Sequence, residues 1–481
     1  MTRLERELTP SYDLTFAPDG TLYVQGSASS VVPCHQFKVG DYVLSHVFES
    51  ELPVALSDLI SVASAVYLAD RVCPRRLPGQ DRYDLAWTRR IRVTLPVRDI
   101  LRWQDAAMQE ILREVLQFYT EDEWDFEFLP LNNVPQSRAI QASLFPVANR
   151  VQHAALFSGG LDSLAGLCQE LIDLPSDGFL LFAANTSPRT QGVQAKLSTL
   201  LRERTKRVVE PCFVPIGLRK RGPRAQNRDE TSQRSRGFVF AAFGAVTALM
   251  GGLNQLSIYE NGVGAVNLPY TRAQIGVHLT RATHPLALQK MSAFVSRATG
   301  AEFKFLLPFL FTTKGQLCRS IAELQLGPLV DLSVSCDGFP QRIEGQPQCG
   351  LCTSCLLRRQ AIYAAGLMSF DNPAHYREDI FSSLNHLPAA KLYPFRAMLY
   401  QVARLREAIA SPDPWASLCT MYPQLMEISL ELRDNMPASG SVEDQLIAMY
   451  KRYCDEWEQL PARPPRGEPL RPSHVGANYG E

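Results

Sequence analysis

Six short apolar runs, at 151–157, 179–184, 208–216, 255–259, 303–309 and 329–334, are separated by segments with helical patterning. Runs this short and this continuously apolar bury both faces of a strand, and helices between them supply the crossovers that parallel strands require. The pattern predicts an α/β core with a parallel sheet covered on both sides, starting at 151. A chain of 481 residues is about three times a typical domain, so further units are expected around this core. Hydrophobic residues are 46% and charged residues 20%, which excludes a disordered, collagen-like or coiled-coil chain.

Before the core, 12–25 and 37–47 carry aromatic and β-branched residues around a Pro-Asp-Gly turn, as a hairpin would. A strand at 91–97, a helix over 100–119 and a strand at 124–129 follow. After about 368 the text turns helical, with segments near 389–410 and 442–460, and the tail rich in Pro, Gly and charge reads as mobile. The organisation expected is an α+β N-terminal extension over 1–150, the core over 151–368, a helical cap over 369–460 and a tail over 461–481.

The first core run leads into Ser158, Gly159, Gly160, Leu161, Asp162 and Ser163, followed by a helical pattern. Two glycines let the backbone approach an anion closely, and the first N–H groups of the helix point at it with the positive end of the helix dipole. The turn therefore reads as a phosphate cradle. Neither a Walker A motif nor a dinucleotide fingerprint occurs. Asp162 beside a phosphate would be repelled unless a cation lay between them, and Mg²⁺ is the natural one.

Cys349, Cys352 and Cys355 place three thiols within seven residues, and Cys336 stands thirteen positions upstream. Four thiolates can close a tetrahedron around Zn²⁺. A [4Fe–4S] cluster is the rival, although four cysteines filling every position suit a closed structural zinc. Buried thiols are expected for the scattered Cys34, Cys73, Cys168, Cys212, Cys318, Cys419 and Cys454.

The segment SGGLDS resembles the SGGxDS signature of the PP-loop ATP pyrophosphatases, whose fold is of the adenine nucleotide alpha hydrolase type. In that superfamily ATP is cleaved between its α and β phosphates, the pyrophosphate sits in this loop and AMP joins the substrate. Pro308-Phe309, Thr313-Lys314, Ser335-Cys336 and Cys349-Gly350-x-Cys352-x-Ser354-Cys355-x-x-Arg358, in this order, are similar to the zinc segment and neighbouring blocks of the QueC family, the 7-cyano-7-deazaguanine synthases. The similarity spans about 152–368. The extra mass on either side resembles the enlarged QatC-type proteins of anti-phage defence operons.

The resemblance implies an AMP-forming, ATP-dependent carbon–nitrogen ligase. It would bind ATP and Mg²⁺ at Ser158–Ser163, use Asp162, Ser163, Lys314 and Arg236 in catalysis, and hold Zn²⁺ at Cys336, Cys349, Cys352 and Cys355. The substrate implied is a 7-deazaguanine carboxylate, and the amine is ammonia or that of a partner protein from the same operon.

Several family elements differ here. The Asp-Tyr-Gly-Gln after the second core strand is replaced by Asn185-Thr186-Ser187-Pro188, and the Asp-Cys-Arg-Pro element by Thr283-His284-Pro285. Glu260 and Asn261 stand at a strand end, where an open α/β sheet binds its ligand, so they are candidate substrate contacts. Arg234 and Arg236 retain guanidinium forks for phosphate or carboxylate. His284 is open to a role in proton transfer or to capping the helix after it.

Arg219, Lys220, Arg221, Arg224, Arg228, Arg234 and Arg236 form a basic stretch, read either as a solvated loop or as a lid over the nucleotide. A base-modifying enzyme that docks RNA or DNA on this stretch, and a non-catalytic nucleotide sensor, are the alternatives. Lys+Arg and Asp+Glu are both 49, so no net field gathers polyanions, and nucleic acid is not the expected partner. The apolar stretch 238–253 is too short to span a bilayer, and the first residues contain no apolar h-region, so a cytoplasmic chain without a membrane anchor is expected.

Overall fold

The computed structural model describes residues 9–25, 31–75, 88–131, 147–220, 230, 232, 234–271, 280–339, 345–379, 387–433 and 440–460. The strands are β1 (Ser11–Phe16), β2 (Thr21–Gln25), β3 (Val31–Val39), β4 (Arg90–Val97), β5 (Glu123–Pro130), β6 (His153–Leu156), β7 (Phe179–Asn185), β8 (Val209–Lys220), β9 (Gln255–Ile258) and β10 (Lys304–Leu306). The helices before the core are α1 (Tyr42–Phe48), α2 (Val54–Val72), α3 (Ile100–Gln104) and α4 (Ala106–Thr120). Within it lie α5 (Leu161–Asp173), α6 (Pro188–Thr205), α7 (Arg236–Met250), α8 (Gly262–Val266), α9 (Pro285–Thr299), α10 (Lys314–Glu323) and α11 (Thr353–Ala364). The last four are α12 (Tyr393–Ile409), α13 (Pro414–Met421), α14 (Gln424–Arg433) and α15 (Val442–Glu458).

The fold is α/β. One ten-stranded sheet runs in the order β10-β9-β6-β7-β8-β3-β2-β1-β4-β5. The five strands from β10 to β8 are mutually parallel. Their side chains alternate between two buried layers, as a strand's period of two requires. Leu180 and Phe182 of β7 join the core formed with α2, α4, α7 and α9. Phe179 and Leu181 join the opposite core, formed with α5, α6, α10 and α11. A third core lies within α12 to α15, which also cover Leu310 and Leu356.

The strands before residue 150 continue the same sheet, because β3 pairs antiparallel with β8, from His35 opposite Lys220 to Val39 opposite Ile216. Behind this junction lies a charge network. Arg89 donates to Asp70 (2.6 Å) and Asp122 (2.6 Å), Arg75 also donates to Asp122 (2.7 Å), and all four side chains are buried. Asp70 in turn accepts from the Ser235 hydroxyl (2.7 Å), which fixes the start of α7 against the end of α2.

Three expectations need correction. The 37–47 segment is not one arm of a hairpin: β3 ends at Val39, and Asp41, accepting from the Tyr42 N–H, caps α1. The apolar run 329–334 is not a strand. It follows a 3-10 turn (Gly327–Leu329) and runs towards the glycine loop, where the Val334 N–H donates to the Gly159 carbonyl (3.1 Å). The basic stretch is no free loop at its start, since Arg219 and Lys220 are residues of β8 paired with Gln36 and His35 of β3. Arg221, Arg224, Arg228 and the 461–481 tail lie outside the described residues.

Candidate functional site

β6 pairs in parallel with β7 on one flank and with β9 on the other, so the connections from β6 to β7 and from β9 to β10 run in opposite directions across the sheet. Such a switch point opens a crevice at the strand ends, where open α/β sheets bind ligands. The loop Ser158–Ser163 occupies it on the β6 side, and Glu260 and Asn261 follow β9 on the other.

The loop is held from three sides. Gly159 has φ +80°, the left-handed region that glycine enters at no steric cost, and a Cβ there would sit 3.1 Å from Val193. From α6, the buried Gln194 amide donates to the carbonyls of Phe157 (3.2 Å) and Ala184 (3.3 Å), bracing the β6 exit against β7. The Ser158 hydroxyl accepts from the Gly160 N–H (3.2 Å), and the Ser163 hydroxyl donates to the Gly160 carbonyl (3.0 Å). The Leu161 N–H, first of α5, donates to the Ser335 hydroxyl (3.2 Å). An oxygen thus already sits where the helix start offers its positive end.

Asp162 projects from the first turn of α5 into a polar cluster. Its Oδ2 lies 2.6 Å from Lys314 Nζ, and its Oδ1 accepts from Asn261 Nδ2 (3.0 Å), which also donates to Glu260 Oε1 (2.8 Å). Lys314 is 8% and Asp162 18% exposed, so the pair is largely withdrawn from water. Burial opposes the Lys314 ammonium, but Asp162 and Glu260 together hold its pKa above the ordinary lysine value. Burial, and then the Asp162 carboxylate, push Glu260 up to about 8. The cation that faces Asp162 in this structure is the Lys314 ammonium. Room for the Glu260 carboxylate comes from Gly264, whose Cβ would fall 2.2 Å from Oε1.

The four cysteines Cys336, Cys349, Cys352 and Cys355 converge with all sulfurs within 4.8 Å of one another and could hold a metal ion such as zinc. The 3.9 Å Cys349–Cys355 and Cys352–Cys336 sulfur separations suit a tetrahedron with bonds of about 2.3 Å, whose edges are about 3.8 Å. The backbone N–H groups of Cys349, Cys352 and Cys355 point at the sulfurs of Cys336, Cys349 and Cys352, favouring thiolates. The contact with Cys336, followed by those with Cys352 and Cys355, draws the Cys349 thiol far down, while the contacts of Cys352 with Cys336, Cys349 and Cys355 push its thiol up. All four cannot ionise together without a cation.

This lobe bears directly on the loop. Arg358 of α11, 2% exposed, donates to the Ser333 hydroxyl (2.7 Å) and the Val330 carbonyl (2.7 Å). It thereby pins the segment that delivers Val334 and Ser335 to Gly159 and Leu161. Of the scattered cysteines, Cys73, Cys168, Cys212, Cys318, Cys419 and Cys454 are buried as expected.

The contacts of the two arginines named from sequence are with residues outside the Asp162–Lys314 cluster. Arg234 pairs with Glu121 (2.9 Å), which follows α4 and also binds Arg281 (3.2 Å). Arg236, at the start of α7, places its guanidinium over the Phe240 ring at 5.0 Å. His284 caps α9, its Nδ1 accepting from the Leu286 N–H (3.3 Å), and burial followed by Arg281 lowers its pKa to about 4. It is a neutral cap.

Sequence reasoning names Thr313 and Ser335 only as neighbours of Lys314 and Cys336, with no role for either, and does not name Gln194. Thr313 was detectable, because Thr-x-x-Gln is a capping-box signature and Thr313 with Gln316 forms that box at the start of α10. Ser335 was visible only as the neighbour of Cys336, and a glutamine within a helix carries no signal.

Among known proteins, no family model and no curated sequence matches this chain. Among the described residues, no helix is long and apolar enough to cross a membrane.

Proposed function

We propose that this chain is a PP-loop, QueC-like ATP-dependent ligase that activates a carboxylate as its adenylate and passes it to an amine. The observation that carries the reading is the glycine loop at the switch point of a parallel sheet, with Asp162 of that loop paired to Lys314 and linked through Asn261 to Glu260. In this reading residues 151–368 are the catalytic unit, the four-cysteine lobe is a structural zinc site, and the segments on either side are additions to it.

The loop N–H groups and Lys314 hold the β and γ phosphates. Asp162 would hold Mg²⁺, which would supply further charge neutralisation at the phosphates. A substrate carboxylate oxygen attacks the α phosphorus, the α–β phosphoanhydride bond breaks, and pyrophosphate leaves with its electron pair. The amine nitrogen then attacks the acyl carbon, AMP departs, and the nitrogen loses a proton to give an amide. A nitrile would need a second adenylation, on the amide oxygen. In this reading Glu260 and Asn261, joined to Asp162 through the Asn261 amide, contact the substrate.

By resemblance the carboxylate is 7-carboxy-7-deazaguanine and the setting is cytoplasmic anti-phage defence, with ammonia or a partner protein's amine as acceptor. The test is incubation of the purified chain with Mg·ATP, 7-carboxy-7-deazaguanine and ammonia, or with co-expressed neighbour proteins, followed by mass spectrometry. AMP, pyrophosphate and a deazaguanine amide, nitrile or protein adduct are expected. ADP with inorganic phosphate, or adenylation of RNA or DNA alone, would overturn the proposal.

A further inference from the structure

We infer that Glu456, on the last helix α15, is a positioning residue that holds Lys314 against Asp162. Its effect on adenylation rests on the function proposed above, whereas its effect on Lys314 does not.

The Glu456 side chain is 3% exposed and lies behind the start of α10. Its Oε1 accepts from the Thr313 hydroxyl at 2.5 Å, and its Oε2 accepts from the Gln360 amide of α11 at 3.0 Å. The same Thr313 hydroxyl accepts from the Gln316 N–H (3.1 Å), so the residue that caps α10 is itself tied to α15. Lys314 is the first residue of that helix and is fixed by its cap. On its other side stands Gly315, where a Cβ would lie 2.7 Å from the Glu456 carboxylate. A larger residue there would displace the Glu456 carboxylate. Arg452, one turn earlier on α15, donates to the Gln316 side chain, and with Arg319 it supplies the positive charge around Glu456.

The same helix braces the other wall of the crevice. A Cβ on Gly262, next to Asn261, would lie 2.3 Å from Met449 Sδ and 1.8 Å from the Leu310 carbonyl. The C-terminal helix therefore backs both Lys314 and the Asn261 segment, and one carboxylate joins α10, the metal-lobe helix α11 and α15.

The test is trace acetylation of the full-length protein with acetic anhydride, reading each lysine by peptide mass spectrometry, for wild type, Glu456→Ala, Glu456→Gln and Thr313→Val. Lys314 is expected to label about fivefold faster in Glu456→Ala and Thr313→Val, the effect of losing one helix-cap bond, while the exposed Lys290 and Lys304 stay constant. Glu456→Gln should stay close to wild type. Its amide oxygen still accepts from Thr313, and Gln360 Oε1, which has no hydrogen-bond partner among the described residues, can turn to meet the new amide.

Unchanged Lys314 labelling in a folded Glu456→Ala, or an equal rise at all three lysines, would overturn the inference. If Glu456→Ala does not fold, Thr313→Val decides by the same criteria. Should wild type form no AMP, the proposed function fails, and the labelling result still judges Glu456.

Discussion

Lys314 Nζ lies 2.6 Å from Asp162 Oδ2, joining the first turn of α10 to the first turn of α5 across the carboxyl end of β6. Two helix starts are thereby locked face to face at the place where the sheet changes winding direction. One brings a carboxylate and the other an ammonium to the mouth of a glycine loop.

The first prediction tests this pair. Asp162→Asn and Lys314→Met should each reduce AMP formation by at least ~10²-fold, since removing one electrostatic stabiliser of a transition state commonly costs ~2.7–4 kcal/mol. The double variant should lose much less than the product of the two effects, because each single change already breaks the same pair. A double-mutant cycle on AMP release measures this. Additive losses would mean that the two groups act separately.

The metal lobe should reach the loop mechanically. Elemental analysis is expected to find one zinc per chain, and serine at Cys336, Cys349, Cys352 or Cys355 should abolish it. Chelation should then free Ser335 from the Leu161 N–H and expose the 158–163 loop to proteolysis, with ATP binding weakened in parallel. Iron with sulfide would instead direct attention to thiolation chemistry.

Much of this arrangement is legible from residue order, for physical reasons that differ between its parts. Short apolar strands must pair in the core whatever surrounds them, so β6 to β10 stand where the apolar runs place them. Cysteines three residues apart are brought together by a local knuckle, so Cys349, Cys352 and Cys355 need little of the fold to meet. Long-range partners leave no such trace. Nothing local announces that Glu456 reaches Thr313, or that Arg234 turns to Glu121, because each pair depends on how separate helices pack. The 329–334 run misleads for a related reason: apolarity reports burial, and Leu329 and Val330 are buried beside α10 and α11 without joining the sheet.

Glu260 gives a pH-dependent prediction. Its folded-state pKa of about 8 lies above the ordinary glutamate value, so between about pH 4.5 and 8 the folded protein holds a proton that the unfolded chain releases. This contribution is fully present below pH 4.5 and is lost as the pH rises towards 8. Glu260→Gln, which cannot ionise, should therefore flatten the decline of stability with pH over that window, by up to one proton's worth of slope. Urea midpoints measured from pH 5 to 8.5 on both proteins check this, and identical slopes would show that Glu260 titrates normally beside Asp162 and Lys314.

The last prediction concerns Arg89, which is fully buried and bonded to both Asp70 and Asp122. Removing one member of a buried ion network leaves uncompensated charge in a poorly solvating interior, at a cost of about 3–5 kcal/mol. Arg89→Met should therefore lower the urea midpoint sharply. The double change Arg89→Met with Asp70→Asn, which removes the orphaned charge and leaves Asp122 paired with Arg75, should recover part of the loss. Asp70 also accepts from Ser235 at the start of α7, so the single variant should loosen the region around Arg234 and Arg236 before the parallel sheet unfolds. Hydrogen exchange at 234–240 reads this directly. An unfolding free energy within about 0.5 kcal/mol of wild type, the range of an ordinary surface change, would show that the network adds nothing to stability.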